Sequence, residues 1–159
     1  MRMLTQERAK YAYDAVMEVR EVNKENLDVQ EKYSSYVKSA PIMILNNGLS
    51  STLAFYLSKI GLGEDIDYKR VKEKISTLTP SKKAYAHLYY HIAKWLAEKA
   101  NNGKGLTNGK DPLKFLIKDA DSLQVMNLTR ETIVLLDWMR RFAAAILREE
   151  GVDEKRYGF

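Results

Sequence analysis

Two histidines four residues apart, in "HLYYH" at 87 to 91, are the residues of this chain whose types and spacing come nearest to metal chemistry. Imidazoles at i and i+4 project from one face of a helix and can share a divalent ion. A zinc-protease helix also needs a glutamate base directly after the first histidine, and Leu88 holds that position, so a protease is excluded. A bare metal site stays open. Against it, the helical repeat puts Lys83, Lys94 and Glu98 on the same face, where two ammonium groups repel a cation. The pair is therefore read as a solvated polar face, with no metal and no cofactor.

Other routes to catalysis are thinner still. The carboxylate pairs Asp119/Asp121 and Glu149/Glu150 fall at helix ends or in linkers, whereas catalytic carboxylates need burial and a partner. No Gly-x-Ser-x-Gly elbow, Walker loop or dinucleotide fingerprint occurs. The absence of cysteine removes thiolate zinc sites, iron–sulfur clusters, disulfides and cysteine nucleophiles together. The reading is of a protein that is not an enzyme.

The third chemical feature is charge. Lys and Arg number 26 against 21 Asp and Glu, a formal +5, which favours polyanionic partners without identifying them. In "TRETIVLLDWMRRFAAAILREE", Arg130, Arg140, Arg141 and Arg148 project within about 60° of Asp137 on a helical wheel. Asp137 can pair with Arg141 at i+4. Equally, Arg140 and Arg141 suit a partner carboxylate or a phosphate, because guanidinium forks grip both.

The elements that must position these groups are helices. A chain of 159 residues with 45% hydrophobic residues suffices for one domain with a real core. Ala9, Ala12, Tyr13, Val16 and Met17 form the inward stripe of a helix from Thr5 to about Val22. A second helix runs from about Val29 to Ser39, and Pro41 kinks it or starts a new turn. Asn46, Asn47 and Gly48 then break the apolar run "SAPIMILNNGLSSTLAFYLSKIG". The left-handed conformation that Asn-Gly accepts predicts a tight corner between two packed helices. The next helix, Leu49 to Lys59, ends at Gly61-Leu62-Gly63.

A helix follows between about Tyr68 and Leu78. Thr79 with Pro80 caps another that runs to Ala100, and Asp111-Pro112 starts a short one to about Lys118. The last helix is placed from Thr129 to about Glu150. "NNGKGLTNGK", 101 to 110, reads as a flexible loop, and 151 to 159 as a polar tail. No segment has signal-peptide or bilayer-spanning character, so a cytoplasmic protein that meets no membrane is expected. The fold class is all-α, a single-domain bundle of about six helices.

"QERAKYAYDAV" at 6 to 16, "KYSSYVKSAPIMILNNGLSSTLAF" at 32 to 55, "HLYYHIAKWL" at 87 to 96 and "LLDWMRRFAAAI" at 135 to 146 together resemble a known family. It is the small all-helical subunit of the type III-B CRISPR effector, the Cmr RNA-silencing complex, and the resemblance runs in register over nearly the whole chain. One departure is Ser51, where the family commonly has glutamine. The resemblance implies a structural subunit that stacks in several copies beside a RAMP backbone, bridges to a polymerase-like large subunit and helps form the channel where guide RNA pairs with target RNA.

Read together with the basic balance, this makes Lys38, Lys59, Arg140, Arg141 and Arg148 the candidate contacts to RNA or to neighbouring subunits, with Arg8 and Arg130 behind them. Asn47 and Gly48 are the structural turn, whose following helix start and nearby Lys38 offer a docking surface. A basic helical DNA-binding regulator is the alternative of a different class.

Overall fold

The computed structural model describes residues 3–64 and 66–148, which fold into helices with no strand. These are α1 (Leu4–Val22), α2 (Leu27–Asn47), α3 (Leu49–Ile60), α4 (Tyr68–Lys74), α5 (Pro80–Lys94), α6 (Pro112–Lys118) and α7 (Ser122–Ile146). Most starts are written locally. Asn26 caps α2 through Val29 N–H, Asp67 caps α4 through Lys69 N–H, and Pro80 opens α5. Asp121 and Gln124 exchange side-chain bonds with each other's backbone N–H groups at 2.8 and 2.9 Å, a capping box that starts α7.

Three boundaries differ from the sequence reading. α2 does not end at Ser39 but runs through Pro41 as one helix to Asn47. Proline costs it one N–H, and the packing of Val37, Ala40 and Ile44 holds the turn nonetheless. α7 begins seven residues before Thr129 and ends at Ile146, with Leu147 extended at φ −93°, ψ 159°. Arg148 therefore lies past the helix and does not share the face on which a continuous helix places it. The Glu149/Glu150 pair and the 151 to 159 tail lie outside the described residues.

Gly48 makes the corner between α2 and α3, and it does so alone, since Asn46 and Asn47 stay helical. Its φ of 90° and ψ of 160° belong to glycine rather than to the left-handed helical region expected of Asn-Gly. The Gly48 N–H closes α2 on the Ile44 carbonyl at 2.8 Å, while its own carbonyl accepts from the Thr52 N–H and hydroxyl.

α5 is the centre. Ala86 to Tyr89 and His91 to Ala93 are buried without a break, so this helix shows no solvent stripe along its middle, as expected of a helix surrounded by others. α2, α3 and α4 pack around it, and α7 lies along both α1 and α2. In α1 the buried stripe is Ala12, Ala15, Val16 and Val19; Tyr13, expected inward, is exposed and packs edge-on against Phe142. Each large apolar side chain so buried contributes about 1.5–3 kcal/mol relative to exposure.

α5 gives way to a π turn at Trp95–Lys99, where the helical run ends and leaves terminal carbonyls without helical partners. The 101 to 110 segment uses them. Leu106 N–H donates to the Leu96 carbonyl at 2.7 Å and Gly109 N–H to the Ala97 carbonyl at 3.1 Å. Asn101 and Asn102 take left-handed φ of 57° and 58°, which turns the chain back. Gly105 then passes so close that a Cβ there would stand 1.9 Å from the Ala97 carbonyl oxygen.

Replacing Gly105 with alanine is expected to cost about 3 kcal/mol or more, since a backbone clash adds to a φ of +76°. Gly48→Ala meets no atom within 4 Å and is expected to cost about 1–3 kcal/mol for its backbone alone. Urea unfolding of both variants checks the order, and equal midpoints would refute the clash at Gly105.

Candidate functional site

The histidines of α5 are not a solvated face. His87 is 1% and His91 3% exposed, because α1 and α2 close over that side of the helix. The projection that groups them with Lys83 and Lys94 is sound in angle. Lysine stems, however, reach outward from a stripe on which shorter imidazoles are covered.

Around the histidines the structure places Glu18 and Asn23 from α1 and its C-terminus, and Tyr33 and Gln30 from α2. The Tyr33 hydroxyl meets His91 Nδ1 at 2.8 Å, and His91 Nε2 meets a Glu18 oxygen at 3.0 Å. With Tyr33 donating to Nδ1, the His91 proton sits on Nε2 and is donated to Glu18. The Asn23 amide donates both to the Val19 carbonyl and to His87 Nε2, at 2.8 and 3.2 Å, while its backbone carbonyl accepts from Gln30. The His87 proton is then on Nδ1, which has no partner.

Electrostatics follow from these contacts. Burial, aided by the neighbouring His91, pushes His87 down to about 3. Burial also lowers His91, against the opposing pull of Glu18. The bond from His91, assisted by the Lys72 ammonium 3.1 Å away, outweighs burial and holds Glu18 at about 2. The trio is thus two neutral imidazoles and one carboxylate.

One ligand atom from each of Glu18, His87 and His91 lies within 4.8 Å of the others, so these are the described residues best arranged to hold a metal. Glu18 already accepts from His91 and Lys72, and His91 Nδ1 accepts from Tyr33, while the ammonium opposes a second cation. Geometrically this is a hydrogen-bonded junction between three helices.

A second buried acid was legible only as a cap. Asp111 accepts from Leu113 and Lys114 N–H as the sequence implies. It also accepts the Tyr68 N–H and the Tyr89 hydroxyl, each at 2.9 Å, tying α4 and α5 to α6.

The basic candidates do not converge on one site. Asp137 bridges Arg140 at 2.9 Å and Arg141 at 3.3 Å, so the single i+4 pair read from sequence is a shared one. Arg148 pairs with Glu31 of α2 at 2.9 Å. Arg8 forms a two-pronged pair with Glu131, both bonds 2.7 Å, and Trp95 Nε1 donates to the same carboxylate. Lys59 lies over the Phe55 ring, 5.3 Å from its centroid, and Lys38 is exposed on α2. Arg130 is exposed beside Glu131 and has no hydrogen bond or ion pair among the described residues. Sequence reasoning misses Glu131 because its partner lies 123 residues away, and nothing local announces the pair. No described helix is long and apolar enough to cross a membrane.

A family model described as "CRISPR-associated protein (Cas_Cmr5)" matches residues 4–146. Among solved structures, the crystal structure of a CRISPR-associated Cmr5 family protein from Thermus thermophilus is similar, with 24% identity and a TM-score of 0.59. The alignment covers 92% of this chain and 100% of that one. At this identity the likeness concerns the fold.

The junction makes stability depend on pH with a definite sign. His87 has a folded value of about 3, below its ordinary 6.5, so between these values the unfolded chain binds a proton that the folded chain refuses. The stabilisation is full above pH 6.5 and is lost as pH falls, with His91 acting in the same direction. Each histidine held neutral contributes a slope of about 1.4 kcal/mol per pH unit. Urea midpoints should fall between pH 7.5 and pH 5, and His87→Leu should flatten the fall. A wild-type midpoint that stays constant across that range would rule the junction out as the acid-sensitive element.

Proposed function

The chain belongs to the CRISPR-associated Cmr5 family, the small subunit of the type III-B effector, and from that premise we propose that it is a non-catalytic RNA-channel subunit. It stacks with further copies of itself beside the RAMP backbone, reaches the polymerase-like large subunit and offers basic side chains to guide and target RNA in antiviral defence. The observation that carries this reading is the family match across residues 4–146, which takes in the entire helical body.

Physical chemistry supplies the mechanism. A guide-directed complex must accept any target, so its protein walls serve best by holding phosphates while base pairing reads sequence. Long basic side chains on rigid helices suit that task. Lys38, Lys59 and Arg130 stand exposed on α2, α3 and α7, and in this reading they are the phosphate contacts. Arg140 and Arg141 share one carboxylate between two guanidinium groups, which leaves a net positive charge for a phosphate or a neighbouring subunit's acid. Arg8 and Arg148 have their own acids and serve the fold and the subunit surface. Asn47, beside the Gly48 corner, belongs to the face that meets a neighbour. A DNA-reading helix would have to lie free in a groove, and α7, the most arginine-rich helix, packs along α1 and α2 instead.

Tagging the protein in its native host and purifying at moderate salt should recover RAMP subunits together with repeat-tagged guide RNAs, identified by mass spectrometry and sequencing. Recovery of the protein alone, without guide RNA, would overturn the reading. In the recovered complex, Arg140→Ala with Arg141→Ala should lower the salt concentration at which RNA or a neighbouring subunit is lost.

A further inference from the structure

One cavity of about 330 Å³ opens where the amino end of α1, the reversal after the π turn and the first half of α7 meet. Arg8, Asn101, Asn102, Asn127, Arg130 and Glu131 supply its polar lining, and Leu4 and Leu106 its apolar part. Arg8 and Glu131 neutralise each other through their two bonds. Arg130 remains, so the lining carries one net positive charge.

Three amides line the same space, and the side chains of Asn101, Asn102 and Asn127 make no hydrogen bond among the described residues. Two of them sit on the left-handed reversal, a conformation that asparagine tolerates better than most residues. An unpaired guanidinium and three unpaired amides converging on one concavity form a set of donors matched to an anion with several acceptor oxygens. A carboxylate offers two such oxygens. A phosphodiester offers two as well but sets them, with two weaker ester oxygens, around a tetrahedral centre that donors can approach from several sides, and its single negative charge balances Arg130.

We propose that this cavity binds a phosphate ester, with Arg130 as the charge partner and Asn101, Asn102 and Asn127 as hydrogen-bond donors. The inference deepens the RNA-channel reading and rests on it for the ligand's source, which is a single RNA chain rather than a free nucleotide. Leu4 and Leu106 give a nucleoside an apolar surface beside the anchored phosphate, without base-specific groups beyond the amides.

The test is binding of the full-length protein to a labelled single-stranded oligouridylate, to AMP and to inorganic phosphate. Arg130→Gln removes the charge, and Asn102→Gly removes one amide while keeping the left-handed backbone. Lys118→Gln, an exposed base outside the cavity, is the control for general surface charge.

The expected result is oligouridylate affinity about five- to tenfold weaker for Arg130→Gln and about two- to threefold weaker for Asn102→Gly. Lys118→Gln should match the wild type, and the salt slope of Arg130→Gln should fall by about 0.7. The same variant pattern with AMP but not with RNA would support the phosphate site while making its source a free nucleotide. Wild-type affinity in Arg130→Gln, or equal weakening in Lys118→Gln, would overturn the site. Loss of RAMP subunits from purified Arg130→Gln complexes with unchanged RNA and AMP binding would overturn it in favour of a neighbouring subunit's carboxylate. Should wild-type protein purify alone, the channel reading fails, and the phosphate and AMP titrations still decide the cavity.

Discussion

A helix whose middle is buried must satisfy inside the protein the polar groups it carries there, and the rest of this structure is arranged around that demand from α5. His91 is met by Glu18 and Tyr33, His87 by Asn23, and Tyr89 by Asp111. The answers come from three different elements: α1 with its cap, α2, and the cap of α6. Apolar contacts alone tolerate small slides between helices, but hydrogen bonds in a low-dielectric interior do not, so these few contacts fix the register of α1, α2 and α6 on α5. The demand is met incompletely only at His87 Nδ1, and an unpaired buried N–H of that kind costs about 1–3 kcal/mol.

The charged residues divide along the same line. Where an acid lies within reach, a base is absorbed into the framework, as Arg8 is by Glu131 and Arg148 by Glu31. Where none does, the base is left on the surface, as with Arg130. The role proposed above, beside RNA, calls for both kinds, one to hold the helices and one to meet phosphates.

Much of this is readable from local chemistry. Thr79-Pro80, Asp111-Pro112 and Gly61 mark helix ends because capping is a matter of neighbouring residues. The start of α7 is also present, in Asp121 and Gln124, but reading Asp121 with Asp119 as a pair of acids hides the cap. The histidines show the limit of a helical wheel: it gives the angle of a side chain and not its cover, and α1 and α2 are the cover. Neither the Arg8–Glu131 pair nor the cavity at Arg130 has any local signature, since the pair spans 123 residues and the cavity needs three segments distant in sequence.

The π turn at Trp95–Lys99 also sets a rule of chain length. The Leu96 and Ala97 carbonyls lie at the end of the helical run and have no partner within it, so the returning chain must arrive with Leu106 and Gly109 in step to use them. Deleting a single residue between Trp95 and Lys99 would restore an ordinary α turn and leave the returning chain out of step with both carbonyls. A stretch that looks by composition like the natural place to splice in or trim residues is therefore counted from both sides. Changes of length belong elsewhere in this chain.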